Sequence, residues 1–304
     1  MSIIDPNTIP SHHLHRALLS AVAPRPIAFA STIDSLGNAN LSPFSCFNAF
    51  GVNPSTLIFS PSRSGHTNEL KDTYLNVKEV PEVVINVVTY SMVEQMNLAS
   101  TQFPRRVNEF YKSGFTPIQS EKVRPFRVKE SPVQIECKVR EVIETGTGAG
   151  SANLIICEVL LIHVNDKMLD KSGMIDTRKL DLVGRMGSDY YVRASGRALF
   201  TLEKPASKLA IGVDSLPEQV RLSSILTGND LGKLGGLQLM PTAPEIEKFI
   251  TSPLFRTIST IQSGNTHKIM EEAHKKAHGM IANNDTYKAL LLLLAAGSLA
   301  VNEI

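Results

Sequence analysis

The densest candidate chemistry lies between residues 60 and 73. Lys71, Asp72 and Thr73 stand where a short helix opens, at Asp72 or Thr73. The free N–H groups and positive dipole end of a helix start suit an anion, above all a phosphate. Arg63 and Lys71 add positive charge, and Ser60 and Thr73 add hydroxyls, so charge-assisted contacts are available. A second candidate is Asn40–Cys46, a rigid extended stretch in which Pro43 fixes its own φ and biases Ser42 toward extended geometry. Ser42, Phe44, Ser45 and Cys46 each keep a backbone N–H there. His163, at the end of a strand, and Arg185 and Tyr190, in RMGSDYY, are further candidates.

Other patterns point away from chemistry. GTGAG at 146–150 lacks the wide final glycine gap and the following helix of a dinucleotide fingerprint, and reads as a hairpin turn between two strands. Glu271, His274 and His278 lie at i, i+3 and i+7, but without HExxH and among Lys and Glu they read as a solvated helix face. His12, His13 and His15 read the same way. There is no GxSxG elbow and no Cys with a motif-linked His, so hydrolysis by a nucleophile has no support, and Cys46 reads as a buried small hydrophobe.

Three cysteines without CxxC spacing fit a reducing compartment better than a disulfide framework or a thiolate zinc site. The 31 Lys plus Arg against 29 Asp plus Glu form no dense basic run, which argues against nucleic acid. The start of the chain has no secretory pattern, and the run Ala289–Ala300 is too short to span a bilayer, so no membrane is expected and the cytoplasm is the expected location.

These residues must be held by elements the pattern predicts. Pro26–Ile33, Thr56–Ser60, Val83–Val88, Val133–Ile143 and Leu154–Val164 are β-branched and aromatic segments between turn residues, hence strands. In 133–139, Val133, Ile135, Cys137 and Val139 alternate with Gln134, Glu136 and Lys138, the period of a half-buried antiparallel strand. Asp72 is placed to cap a helix over Thr73–Glu79, and Ser91 with Glu94 to box-cap Met92–Ala99. After Pro205 apolar residues recur at helical spacing, as in Ile269, Ala273, Ala277 and Met280, then Tyr287, Leu291, Ala295 and Leu299. The leucine cluster at 290–294 reads as a buried helix.

PRPIAFASTIDSLGNANLSPFSCFNAF, NPSTLIFSPSR and KDTYLNVKEVPEVVINVV, in this order, resemble the flavin reductase-like, FMN-binding split-barrel family. NEF at 108–110, SPVQIECKV at 131–139 and RMGSDYY at 185–191 extend the resemblance over two-thirds of the chain. It implies a mainly β fold with α: a six-stranded antiparallel Greek-key split barrel over 1–205, with a helical extension over 206–304. It also implies a homodimer with flavin at the subunit junction. The implied reaction is hydride transfer from NADH or NADPH to bound FMN, then electron delivery to a small-molecule acceptor or an oxygenase partner. A non-catalytic FMN-binding or electron-carrier protein is the alternative. FMN needs an anion nest, hydroxyls and a slot with backbone donors. On this reading Ser60, Arg63, Lys71, Asp72 and Thr73 serve the phosphate end. Asn40, Ser42, Pro43, Phe44, Ser45 and Cys46 serve the ring, and His163, Arg185 and Tyr190 complete the expected cofactor contacts. No catalytic acid or base and no metal is expected, since the chemistry belongs to the cofactor.

Overall fold

A computed structural model describes residues 1–202, 209–262 and 265–301. The chain divides into two compact units, Met1–Phe200 and Thr201–Ile304. The boundary expected at Pro205 lies outside the described residues.

The first unit begins with helix α1 (Ser11–Ala21), followed by β1 (Ala28–Ile33), β2 (Ala39–Phe44), β3 (Phe47–Val52) and β4 (Ser55–Phe59). Helix α2 (Asp72–Glu79) leads into β5 (Glu82–Val87), and α3 (Val93–Leu98) and α4 (Glu109–Ser113) come next. Then follow the short β6 (Pro117–Ile118) and β7 (Arg127–Val128), the long β8 (Val133–Glu144) and β9 (Asn153–Val164), α5 (Thr177–Leu180), β10 (Leu182–Arg185) and β11 (Tyr191–Ala194). Seven strands form one sheet in the order β2-β1-β5-β8-β9-β4-β3, with every neighbouring pair antiparallel. This is one strand more than expected, because Phe47–Val52 runs on as a separate strand paired to β4. The strands at the two ends of the order, β2 and β3, are separated by Ser45 and Cys46 alone. The sheet therefore has to curl until its ends share a corner, and the Ser60 N–H, donating to the Cys46 carbonyl at 2.9 Å, pins that corner. The result is a split barrel.

The burial of β1 at all six positions follows from this curl. Ala28 and Ala30 face the barrel interior with Leu57, Phe59, Ile85, Cys137 and Cys157. Ile27, Phe29 and Ile33 face an outer layer completed by Met96 of α3, Phe110 of α4 and Phe115. On β8 the expected alternation is incomplete: Gln134 and Glu136 are buried like Val133 and Cys137, because the 119–127 segment covers them. The Gly-rich stretch after β8 is a hairpin turn, closed by the Thr145 N–H on the Ala152 carbonyl at 3.0 Å. Helix α2 starts one residue early, with Lys71 at the N-cap and Asp72 already helical, and no side chain caps it. The capping box at Ser91 does not form. A 3₁₀ turn at Tyr90–Met92 precedes α3, and the Ser91 hydroxyl meets that of Thr89 at 3.0 Å.

The second unit is helical: α6 (Glu218–Arg221), α7 (Gly228–Gly235), α8 (Ala243–Ile250), α9 (Pro253–Ile261), α10 (Thr266–Ala282) and α11 (Thr286–Val301). Ile269, Ala273, Ala277 and Ile281 of α10 are buried, and so are Ala289, Leu290, Leu292, Leu293, Ala295 and Ala296 of α11. The apolar face of α11 is thus broader than the Tyr287–Leu299 stripe, and Tyr287 instead reaches the surface, its hydroxyl on Glu245 at 3.0 Å. The solvated reading of His274 fails. It is 6% exposed, its Nδ1 meets the Ser223 hydroxyl at 2.7 Å, and burial lowers its pKa. His278 turns to Asp230 at 2.8 Å and Glu271 to Lys275 at 2.6 Å, so the three do not converge. Among the described residues no helix is long and apolar enough to cross a membrane.

Phe29 is fully buried and edge-on to Phe115, ring centroids 5.2 Å apart. Phe29→Ala is expected to lower stability by about 3–5 kcal/mol, measured by denaturant unfolding. A loss under about 1 kcal/mol would contradict the assigned outer layer.

Candidate functional site

Strand β2 lies at one end of the sheet, so every second backbone group along it faces away from β1. Helix α2 starts beside it. Between them and the 99–109 segment runs a groove of about 470 Å³, lined among others by Asn40, Ser42, Lys71, Asp72, Thr73, Phe103, Arg105 and Glu109. That volume is within the ordinary range for small-molecule sites. The first N–H groups of α2 have no partner within the helix and open at this groove. The Lys71 ammonium forms no hydrogen bond or salt bridge with another described residue. Arg105, on the far wall, is shared between Glu79 at 3.1 Å and Asp72 at 4.0 Å.

Two expected contacts serve the wall rather than a ligand. The Thr73 hydroxyl donates to Asn40 Oδ1 at 2.8 Å, and the Thr32 hydroxyl donates to the same oxygen at 3.2 Å. Asn40 Nδ2 donates to Glu109 Oε1 at 3.2 Å, and the Leu41 N–H donates to Glu109 Oε2 at 3.0 Å. Asn40 and Thr73 are therefore engaged within the protein, and the expectation that the Thr73 hydroxyl is free for a phosphate is corrected. Burial pushes the Glu109 carboxyl above its ordinary range, with Asp72 adding to the effect, against the opposing hydrogen bonds from Leu41 and Asn40. Burial also raises Asp72, against the pull of Arg105 and Lys71.

The Leu41 N–H points off the sheet to Glu109, so strand alternation turns the amides of Ser42 and Phe44 toward β1, opposite Ala30 and Ala28. Those two donors belong to the ladder, contrary to expectation. Pro43 takes an outward position that needs no N–H, as proline on an edge strand does. The amides left along this stretch are those of Ser45 and Cys46 at the bend. The Ser45 hydroxyl accepts from Arg25 Nε at 3.3 Å, and the Phe44 ring packs on Phe59 with centroids 5.8 Å apart. Cys46 is exposed, not buried, because the bend turns it out of the core.

Ser60 and Arg63 stand outside the groove lining, on the flank of α2 where Arg63 lowers the Tyr74 hydroxyl pKa that the short bond to Glu144 raises. Ser60 is buried and its Oγ accepts from the Asn153 N–H at 3.2 Å. Arg63 Nη1 donates to the Asn68 carbonyl at 2.8 Å, while its buried Nε has no partner in the protein. Asn153 Oδ1 is likewise buried and unpartnered. His163 is set apart: it lies ten residues along β9 from Asn153, roughly 30 Å away at ~3.3 Å per residue, with Nε2 on Glu136 at 2.6 Å. Burial opposes ionisation of Glu136, yet amide bonds from Glu121 and Lys122 and the contact with His163 hold its carboxyl below the usual range. Arg185 stacks on Tyr191 at 4.6 Å and lies 3.8 Å from Asp189, while Tyr190 is exposed rather than packed. None of these three lines the groove.

Sequence reasoning missed Glu109, Phe103 and Arg105 as groove residues and Asn153 as a buried anchor. Only Asn108 left a local signal, as the N-cap accepting from the Phe110 N–H at 3.0 Å. The open helix start beside Lys71 lies on the groove and fits a phosphate, whereas Pro43, Phe44, Ser45 and Cys46, like Arg63 with its buried unpartnered Nε, lie outside the groove lining.

Residues 20–181, just over half the chain, match the family model described as "Flavin reductase like domain". An uncharacterized protein of Aquifex aeolicus is 39% identical over 183 residues, 60% of this chain and 91% of that one. Nitrilotriacetate monooxygenase component B from Bacillus cereus is 28% identical, with a TM-score of 0.62 over 66% of this chain and 98% of that one. A protein with a split barrel domain from Shewanella frigidimarina, 24% identical with a TM-score of 0.57, covers 67% of this chain and 99% of its own, and shares the fold.

The three thiols differ in exposure. Burial pushes Cys137 up to about 12 and Cys157 well above the ordinary thiol range. An aromatic disulfide reagent at pH 8 is expected to titrate one thiol in the native protein and three after denaturation, and none in native Cys46→Ser. Rapid native reaction of two or more would contradict this placement.

Proposed function

The chain belongs to the flavin reductase-like family, and from that premise we propose that its groove holds FMN and that the protein is an NAD(P)H-dependent flavin reductase-type oxidoreductase. The observation that carries the reading is the start of α2, with Lys71 at its N-cap, opening on the same groove as the free edge of β2. When bound, FMN supplies a ring that takes a hydride from NADH or NADPH and releases electrons to an acceptor. The chain's part is to bind and orient. The Asp72 and Thr73 amides and the Lys71 ammonium meet the phosphate. Arg63, with its free Nε, adds a second positive charge along α2. The Ser45 and Cys46 amides offer fixed donors for negative charge on the ring, at no reorganisation cost.

A homodimer is part of the proposal. Strand β3 is exposed along almost its whole length, with Phe50 at 65% and Val52 at 92%, and Leu160 and Ile162 of β9 are exposed as well. Apolar surface on a sheet end calls for a cover, and a second barrel with flavin at the junction supplies one. The acceptor is a small molecule or an oxygenase partner, in keeping with the likeness to a monooxygenase component. Three free thiols support a reducing, cytoplasmic setting.

Titration of the purified protein is expected to show tighter binding of FMN than of riboflavin. Lys71→Ala should weaken FMN by about 1.5–3 kcal/mol, roughly 10- to 150-fold, and leave riboflavin unchanged. Equal affinity for both flavins would remove the phosphate assignment. Anaerobic NADH or NADPH should then bleach the bound flavin, and air should restore it. If neither does so at millimolar concentration while dithionite does, the electron-carrier reading replaces the reductase.

A further inference from the structure

We infer that Asn40 and Glu109 are positioning residues that fix the spacing of the groove walls and thereby set flavin affinity; this rests on the flavin reading above. Four elements meet at the pair. Thr32 of β1 and Thr73 of α2 both donate to Asn40 Oδ1, and Asn76 of α2 donates to the Thr32 hydroxyl at 3.1 Å. Asn40 Nδ2 and the Leu41 N–H, both on β2, reach Glu109 of α4. All these side chains are buried, with Asn40 7% and Glu109 5% exposed. A broken bond here leaves a polar group without water to replace its partner.

The pattern fixes which residue types fit. Asn40 Oδ1 accepts two hydroxyls, so its NH₂ faces Glu109, where only an acceptor fits. Glu109 receives two N–H donors, one per oxygen, as a carboxylate does. Helix α4 has five residues, too few to hold its own position, and it directly follows the stretch that carries Phe103 and Arg105. The carboxylate is thus the buried polar link between the far wall and the wall made by β2 and α2, beside the more exposed pairs that Arg105 makes with Asp72 and Glu79.

An exchange of the two functional groups tests this. Glu109→Gln places an NH₂ against either Asn40 Nδ2 or the Leu41 N–H, and Asn40→Asp sets two carboxylates face to face. In the double variant N40D/E109Q, the amide now at position 109 donates to the carboxylate now at position 40 and accepts from the Leu41 N–H, while that carboxylate keeps both hydroxyls. Charge and shape are retained. Each single variant is expected to weaken FMN about tenfold or more, and the double to return within about threefold of the parent. Hydrogen exchange at the Leu41 amide should quicken in the singles and recover in the double.

Singles that only melt earlier, with FMN affinity intact, would overturn the inference. So would a double that fails to fold or binds no better than the singles. Singles that fail to fold beside a double that folds and binds normally would support it. If the parent binds no flavin, the reading of the groove falls by itself, and Leu41 exchange then decides the pair: recovery in the double upholds the link between the walls, and its absence refutes it.

Discussion

A connection of two residues between strands at opposite ends of a seven-strand order constrains everything else in the first unit. Ser45 and Cys46 leave no length for a crossover, so the sheet must close on itself, and the corner where it closes must be tied. Arg25 does much of that tying. Its guanidinium is buried and reaches the Ser45 hydroxyl, the Leu19 and Val22 carbonyls at the end of α1, and the Met186 carbonyl at 2.9 Å. No carboxylate pairs with it among the described residues. The carbonyl end of α1 supplies the compensating partial negative charge.

The groove combines a positive helix start with two acids whose charged forms burial disfavours. Asp72 and Glu109 are both pushed up, and Asp72 raises Glu109 further. An anionic ligand held there meets Lys71 and amide dipoles at short range, while the nearest carboxylates are bound to Arg105 or to the wall. On the proposed flavin reading, specificity for the anion comes from the fixed dipoles as much as from net charge, which is +2 for the whole chain.

Local pattern carried much of the fold. The five strands read from periodicity are present, the Gly-rich turn is a hairpin, and α2 starts within one residue of its expected place. What could not be read locally depended on distant chain. Phe47–Val52 follows NLSPFS without a glycine or proline break, so nothing marked a new strand. Glu136 and Gln134 look solvent-facing until the 119–127 segment is laid over them, and His274 looks solvated until Ser223 arrives from fifty-one residues away. Of the candidate residues, Lys71, Asp72 and Thr73, which an element boundary marks, do line the groove, as do Asn40 and Ser42 within β2. The site was illegible where direction matters. No sequence rule says that Ser42 and Phe44 turn their amides inward, or that Asn40 gives both ends of its amide to the protein.

The edge of β2 has one further consequence. An open sheet edge is a template on which a stray strand can add itself. Here consecutive outward positions offer no donor to such a strand: Leu41 has its N–H on Glu109, and Pro43 has none. The same carboxylate that braces the groove therefore also blunts the edge, since a strand added at this end of the barrel would find acceptors but no donors at these two positions.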